Sequence, residues 1–284
     1  MKKLYTAIAA LLCFAASAQN KDNGLLWKIS GNGLTKPSYL FGTIHITCDA
    51  ALDKNVLTAL DNTAQLYLEL DMDDPAMQTQ MLGGMMMNNG KTMKSLASEA
   101  DFKLVDEFLL KNTGMGAALM NNFKPAMVTM LLYPKMMDCP MQSIETELMK
   151  VTKTQNEEVY GLETLADQMA VFDAIPYEEQ MADLIEMAKG NMMKQKAEFA
   201  ELMEVYKTQD LAKIQALIDN PENKMMSGHS DILLANRNKK WIPKIQETAK
   251  KTPTFFGVGA AHLPGDNGVI NLLRKKGFKV EAMN

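Results

Sequence analysis

Short apolar runs separated by turn residues open the chain. Leu25 to Ser30 and Ser38 to Ile44 read as two strands, and Gly31-Asn32-Gly33 between them has the turn chemistry of a hairpin. From Ala51 to Thr63 the apolar positions Leu52, Val56, Leu57 and Leu60 recur at the spacing of one helical face. Gln65 to Leu70 returns to a short apolar run, Leu66-Tyr67-Leu68, and closes on Glu69-Leu70-Asp71. Strand, helix, strand predicts parallel pairing through a crossover helix.

From Pro75 to about Lys153 the pattern changes to helices rich in Met, Leu, Lys and Glu, broken near Gly83-Gly84, Gly114 to Gly116, Pro125, Pro134 and Pro140. This stretch reads as a helical insertion. Glu158 to Leu162 is a further short strand, followed by Glu163 and a helix through Phe172. Helices then run from Tyr177 to about Tyr206 and from Leu211 to Asp219, without a coiled-coil heptad of useful length. The last fifty residues alternate again: a helix around Ile232 to Ala249, a strand at Thr254 to Val258, a Pro264-Gly265 turn and a helix from Asn267 to Lys276. Gly277 ends that helix, and Phe278 to Ala282 is the last strand. The expected fold class is α/β: a central, mostly parallel sheet formed by the N- and C-terminal segments, with a large helical insertion. Residues 19–284 are expected to form a single domain, with the insertion at about 75–153 and further helices at about 164–250.

Composition adds the cellular setting. Lys2 and Lys3, the apolar run Ala7 to Ala16 and the small-residue site Ala16-Ser17-Ala18 have the parts of a secretory signal peptide over residues 1–18. Leu11 and Leu12 before Cys13 do not make the small-residue context of a lipid-modified cysteine, so the expectation is an exported, periplasmic or secreted protein rather than a lipoprotein. Cleavage after Ala18 removes two lysines and no acids, taking the formal charge from -4 to -6. No basic patch argues for nucleic acid. No later segment has the roughly 18 to 20 apolar residues of a transmembrane helix. Cys48 and Cys139 remain, and an even pair in an export setting reads as a disulfide. Metal ligation by Cys48, three residues after His45, is the alternative.

Candidate chemistry centres on the histidines. Of three in 284 residues, two close the same pattern: Gly42-Thr43-Ile44-His45 and Gly259-Ala260-Ala261-His262. Each follows an expected strand, and a glycine there lets the strand end turn sharply or approach a ligand closely. Ligands of open parallel sheets collect beyond the carboxyl ends of the strands. His45, Glu69, Glu163 and His262 all fall at such ends. Two imidazoles and a carboxylate can form a divalent-metal site with open positions. The alternative is a pair of loop histidines satisfied by Glu69 or Glu163 that bind nothing. Arg237 stands out because the chain has only two arginines, the other being Arg274, against 28 lysines. Such scarcity points to a planar bidentate donor for a carboxylate or an oxyanion, although an ion pair with Glu163 explains it too. His229, in Ser227-Gly228-His229-Ser230, reads as a solvated loop residue. Met77, Met81, Met85, Met86, Met87 and Met93 could offer thioether ligands to Cu(I), but flexible apolar packing is the better account of so methionine-rich a chain. There is no GxSxG elbow and no HExxH.

Together, Leu26-Trp27-Lys28-Ile29, Tyr39 to His45, Leu68-Glu69-Leu70-Asp71, Tyr160-Gly161-Leu162-Glu163-Thr164, Arg237-Asn238 and Gly257 to Leu263 resemble the TraB/PrgY/GumN family, in its GumN-like secreted branch. That family is similar to the TIKI metalloproteases, membrane-tethered proteases that trim Wnt ligands, and to the erythromycin esterase/ChaN-like fold group. The resemblance implies a metal-dependent hydrolase acting on a peptide or protein, with His45, His262 and Glu69 as ligands of a divalent ion such as Mn, Co or Zn. Glu69 is alternatively the base, with Glu163 and Arg237 as catalytic partners in the same cleft. The rival expectation is a non-catalytic protein that binds a peptide or signal there.

Overall fold

The computed structural model describes residues 22–283. The segment read as a signal peptide, with Cys13, lies outside the described residues. Two strands open the fold, β1 (Leu26–Ser30) and β2 (Ser38–Thr43), then α1 (Lys54–Asp61) and β3 (Leu66–Leu68). Helices follow: α2 (Met77–Gly84), α3 (Glu99–Thr113), α4 (Pro125–Met130), α5 (Tyr133–Met136) and α6 (Ile144–Gln155). After β4 (Val159–Gly161) come α7 (Leu165–Ala174), α8 (Tyr177–Lys189), α9 (Met193–Lys207), α10 (Leu211–Ile218), α11 (Lys224–Gly228) and α12 (Asn236–Lys251). The chain closes with β5 (Phe255–Gly259), α13 (Val269–Lys275) and β6 (Lys279–Ala282).

The six strands form one sheet in the order β4-β3-β5-β2-β1-β6. Pairs β4·β3, β3·β5 and β5·β2 are parallel, whereas β2·β1 and β1·β6 are antiparallel. Every described residue of β2 is buried, and β5 is buried from Phe255 to Val258. This suits near-continuous apolar runs, because a central strand covered on both faces has no polar side to present.

Two expectations need correction. β2 and β3 run parallel but do not pair, because β5 occupies the slot between them. The crossover through α1 leaves room for one strand, and the C-terminal run Phe255 to Val258, buried throughout, fills it. The sheet is also not made by the chain ends alone, since its β4 edge comes from mid-chain, and its other edge is antiparallel.

Helices start and stop where local chemistry dictates. Asp53 accepts from the amides of Asn55 and Val56 and so delays α1 to Lys54, whereas the apolar spacing alone placed its start at Ala51. Ser143 caps α6 through the Thr146 amide, and Asn156 ends it in a left-handed conformation. Along α12, Asn238, Trp241, Ile242, Ile245, Thr248 and Ala249 form one buried stripe at three- and four-residue spacing. That stripe aims the N-terminal turn of α12 at the sheet's carboxyl edge.

The helices have their own core. Met93, Val105, Leu109, Val128, Leu132, Met181 and Leu184 pack together apart from the sheet cluster. Of the methionines singled out above, Met87 and Met93 are buried, and Met77 and Met85 are partly buried against Leu165 and Met169. Their surroundings are apolar side chains, which is the packing account. Cys48 and Cys139 are joined in a disulfide with Cα atoms 5.6 Å apart, so Cys48 is not a free ligand. Among the described residues, no helix is long and apolar enough to cross a membrane.

Candidate functional site

His45 lies two residues beyond β2, Glu69 directly after β3, Glu163 two beyond β4 and His262 three beyond β5. Because these four strands are parallel, all four side chains gather at one edge of the sheet. Arg237 enters from the first turn of α12. The structure therefore brings the five residues expected from sequence into one cluster.

Glu69 is at its centre. Its Oε1 accepts from the Gly259 amide at 2.8 Å and lies 3.6 Å from His262 Nε2 and 3.9 Å from His45 Nε2. Its Oε2 accepts from Arg237 Nη2 at 2.5 Å. The same guanidinium grips Glu163: Nη2 reaches Oε1 at 2.5 Å, and Nε spans both oxygens at 3.1 and 3.2 Å. Arg237 Nη1 donates to the Leu233 carbonyl at 3.0 Å and to His262 Nε2 at 3.1 Å. Leu233 belongs to a π-helical turn, Asp231–Ala235, that runs into α12 and sets the phase at which Arg237 arrives. Trp241, one turn further on, lies under both the guanidinium and the His262 ring and donates Nε1–H to Glu163 at 3.1 Å.

The two histidines differ in setting despite their common motif. His262 is buried, with 4% of its side chain exposed, whereas His45 is 62% exposed. Asn238 turns its amide nitrogen to the carbonyls of Asn267 and His262, so its Oδ1 accepts from His262 Nδ1–H at 2.6 Å. The lone pair of His262 is therefore on Nε2. His45 Nδ1 meets Glu145 Oε1 at 2.6 Å, which likewise leaves Nε2 facing Glu69.

The motif glycines also differ in purpose. Neither has a positive φ, so neither serves a left-handed turn. A Cβ on Gly42 would come within 2.6 Å of Leu263 Cδ1 and 3.1 Å of the Ala260 Cα, so this glycine lets β2 lie close to the end of β5. A Cβ on Gly259 would stand 3.2 Å from Glu69 Oε1, 3.6 Å from His45 Nε2 and 3.6 Å from the His262 ring. Gly259 therefore preserves a small space at the middle of the cluster. Its φ of -50° and ψ of 135° suit alanine. We expect Gly259→Ala to shift unfolding free energy by no more than about 1 kcal/mol, while ligand binding in that space weakens by about tenfold or more, 1.4 kcal/mol. Urea midpoints and peptide cleavage measured on the same preparation check this, and unaltered cleavage would mean the space is not used.

Charge follows from these contacts. Burial works against ionised Glu69, but His262, His45, Arg237 and the Gly259 amide outweigh it and bring the carboxyl down to about 2. Burial itself holds His262 down at about 3, so at neutral pH that ring is uncharged and the attraction acting on Glu69 is that of His45 and Arg237. For His45 burial acts downward, but the hydrogen bond and charge of Glu145, with Glu69 adding, raise it to about 9. The ring is largely exposed, so water screens part of that attraction.

These directions predict a stability maximum near pH 6.5. The depressed His262 contributes stability that is complete above its ordinary 6.5 and lost as pH falls through about 3, and Glu69 adds a loss from 4.5 down through about 2. The raised His45 contributes below 6.5 and loses its share as pH climbs through about 9, with the smaller effect of an exposed group. Denaturant midpoints across pH 3 to 10 should show a steep acid limb and a shallow alkaline one. His45→Gln should flatten the alkaline limb and, because His45 helps hold Glu69 down, weaken the Glu69 part of the acid limb while leaving the His262 part in place. A midpoint that stays level from pH 6.5 to 4 would contradict a buried, neutral His262.

Among the described residues, no three His, Cys, Asp or Glu side chains are gathered closely enough in this arrangement to hold a metal ion. The donor chemistry does fit one. His45 Nε2 and Glu69 Oε1 border the space kept by Gly259, the His262 ring borders it through Cδ2, and both rings use Nδ1 for a partner outside it, an arrangement common among metal-ligating histidines. Convergence is what this arrangement lacks, since Arg237 takes up the His262 lone pair.

The sequence profile of the TraB/PrgY/gumN family matches residues 25–282. The chain belongs to this family. Its curated relatives include zebrafish "Metalloprotease TIKI2", 20% identical over 95% of this chain and 62% of the relative, and Xenopus tropicalis "Metalloprotease TIKI1", 21% identical over 94% and 63%. Human "Metalloprotease TIKI1" is 21% identical over 95% and 64%. The chain thus spans somewhat under two thirds of the length of these relatives. No solved structure matches it.

Sequence reasoning missed Glu145, Asn238's contact to His262, and Trp241 beneath the cluster. Glu145 had a signal, as a first-turn carboxylate six residues after a cysteine whose partner follows His45 by three. His229 is corrected: it is only 17% exposed and pairs with Glu179 at 2.8 Å, because the loop before the π-helical turn packs against α8.

Proposed function

We propose that this chain is an exported metal-dependent hydrolase acting on peptide bonds. The observation that carries the reading is that two histidine Nε2 atoms lie 3.6 and 3.9 Å from one oxygen of Glu69, at the carboxyl ends of parallel strands, beside an arginine fork. The distant relatives bearing the name metalloprotease favour peptide bonds over other substrates. The signal-peptide-like leader and the disulfide support export.

His45 and His262 would hold the ion, as Mn, Co or Zn, with Glu69 as a third ligand or as the base. When bound, such an ion supplies Lewis-acid activation of water and of the scissile carbonyl. As the base, Glu69 would take the proton of the attacking water. Burial opposes its charge, but His262, His45 and Arg237 together bring its carboxyl to about 2, which makes it a weak base in this arrangement. Arg237 Nη1, which meets His262 Nε2 at 3.1 Å, would stabilise the oxyanion formed as water adds to the carbonyl. The C–N bond then breaks, and the amine leaves with the proton that Glu69 carried. Glu163, which binds three atoms of the Arg237 and Trp241 pair, orients the guanidinium. The helices between β3 and β4 would wall the cleft and select the peptide.

One observation favours the rival reading of a peptide- or signal-binding protein without turnover: Arg237 bonded to His262, with no convergent ligand group among the described residues. A single experiment separates the two. Metal content of the purified protein is measured beside cleavage of a peptide library, with His45→Ala/His262→Ala as control. Stoichiometric metal and cleavage, both lost in the control, support the hydrolase. Metal-free protein whose ligand binding survives the double substitution supports the binder.

A further inference from the structure

His262 is held by packing, with its ring buried and covered by Trp241 at 4.5 Å between centroids. His45 has no such support, because its side chain is 62% exposed and its loop lies beyond the last residue of β2. An exposed imidazole can rotate about both χ angles and exchange its ring nitrogens. What opposes this is a single short contact, His45 Nδ1 to Glu145 Oε1 at 2.6 Å.

Glu145 is itself fixed on every side. It is 4% exposed, in the first turn of α6. Thr43 Oγ1 donates to its Oε1 at 2.6 Å and Ser143 Oγ to its Oε2 at 2.7 Å. The two segments that carry His45 and Glu145 are also tied together independently. Thr47 and Gln142 exchange backbone hydrogen bonds at 2.9 and 2.8 Å, and the Gln142 side chain donates to the Cys48 carbonyl and accepts from the Ala50 amide. The Cys48–Cys139 disulfide closes the same junction. Burying a carboxylate costs free energy unless its partners need the charge. Thr43, Ser143 and the His45 ring all donate to this one carboxylate, so its two oxygens are fully used as acceptors.

We propose that Glu145 is the positioning residue of His45: it holds Nδ1 as the donor, so that Nε2 is the ring atom presented to Glu69 and the space beside Gly259. This rests on the hydrolase reading for its purpose, but not for its geometry. Gln142, Thr47 and the disulfide keep the carboxylate and the ring within reach of each other.

Only three histidines occur in the chain, so the ring nitrogen signals of His45 can be assigned by deletion and followed by 15N NMR. The full chain is compared with Glu145→Gln, which keeps an acceptor without the charge, and Glu145→Ala, which removes both. At a pH where the ring is neutral, the wild-type protein and Glu145→Gln should show the Nδ1–H tautomer. Glu145→Ala should shift toward the Nε2–H form that free histidine prefers. Affinity for Zn2+ added alone, read by calorimetry, should fall about 10- to 100-fold in Glu145→Ala and recover in large part in Glu145→Gln. His262 signals should stay in place in both, which distinguishes lost positioning from lost folding. An unchanged His45 tautomer in Glu145→Ala, or Zn2+ affinity equal to wild type, overturns the proposal. A tautomer shift in a protein that cleaves no peptide supports Glu145 as the positioning residue while removing the hydrolase reading.

Discussion

Replacing Arg237 with alanine is expected to cost about 3–5 kcal/mol of unfolding free energy, the scale for removing one partner from a buried ion pair. Arg237 is 11% exposed, and the two carboxylates it joins, Glu69 and Glu163, are 8% and 6% exposed. Without the guanidinium, two like charges face each other with few donors left. Trp241 Nε1 and the Gly259 amide hold one oxygen of each, and Gln168 is 3.4 Å from both. Protonating one carboxylate is the cheapest escape, so the loss should be smaller at pH 4 than at pH 7. Arg237→Lys keeps the charge but has one nitrogen where the fork engages Glu69, Glu163, His262 and the Leu233 carbonyl. It should recover part of the stability and little of any turnover. Urea unfolding at the two pH values measures the effect. A loss below about 1 kcal/mol would place Arg237 among surface pairs and remove the basis for treating the five residues as one network.

The second large effect concerns Glu69. Its Oε1 accepts from an amide and its Oε2 from a guanidinium, so both oxygens serve as acceptors. Glutamine can satisfy only one of them. Either orientation places an NH2 group against a donor, and Arg237 is left with Glu163 as its only anion. We expect Glu69→Gln to lower kcat for peptide cleavage by about 10²–10⁴-fold, the range for loss of a general base. Stability should fall by about 1–3 kcal/mol, the cost of an unsatisfied buried donor. A KM that holds while kcat collapses would mark a role in the chemical step. Cleavage retained within a few-fold would assign the proton transfer elsewhere, and a loss in KM alone would favour the binding reading.

Much of this was legible from the chain. The hairpin of β1 and β2, the strand after α1, the strand at Val159 and the final α13–β6 unit follow from short apolar runs bounded by Gly, Asn and Pro. Their boundaries differ where side-chain caps such as Asp53 intervene. His45, Glu69, Glu163 and His262 were identified because each follows a strand, and Arg237 because arginine is scarce. Strand pairing was less legible: nothing in β2 or β3 records that β5, nearly two hundred residues later, enters between them. The difference between the twin motifs was not legible either. Gly42 and Gly259 occupy equivalent places in sequence, yet one gives way to Leu263 and the other borders Glu69 and both imidazoles.

By itself the sequence determined the strands, the leading disulfide pair, the four polar residues after strands and the scarce Arg237, because apolar spacing and residue scarcity are local properties of a chain. Only the tertiary structure decided how those residues are used. Burial, which depends on every neighbour at once, holds His262 neutral under Trp241 and leaves His45 exposed against Glu145. It also places one guanidinium between two carboxylates and a ring nitrogen. The Gly-x-x-His repeat is symmetric in sequence, and the unequal packing around its two copies gives each histidine a different environment.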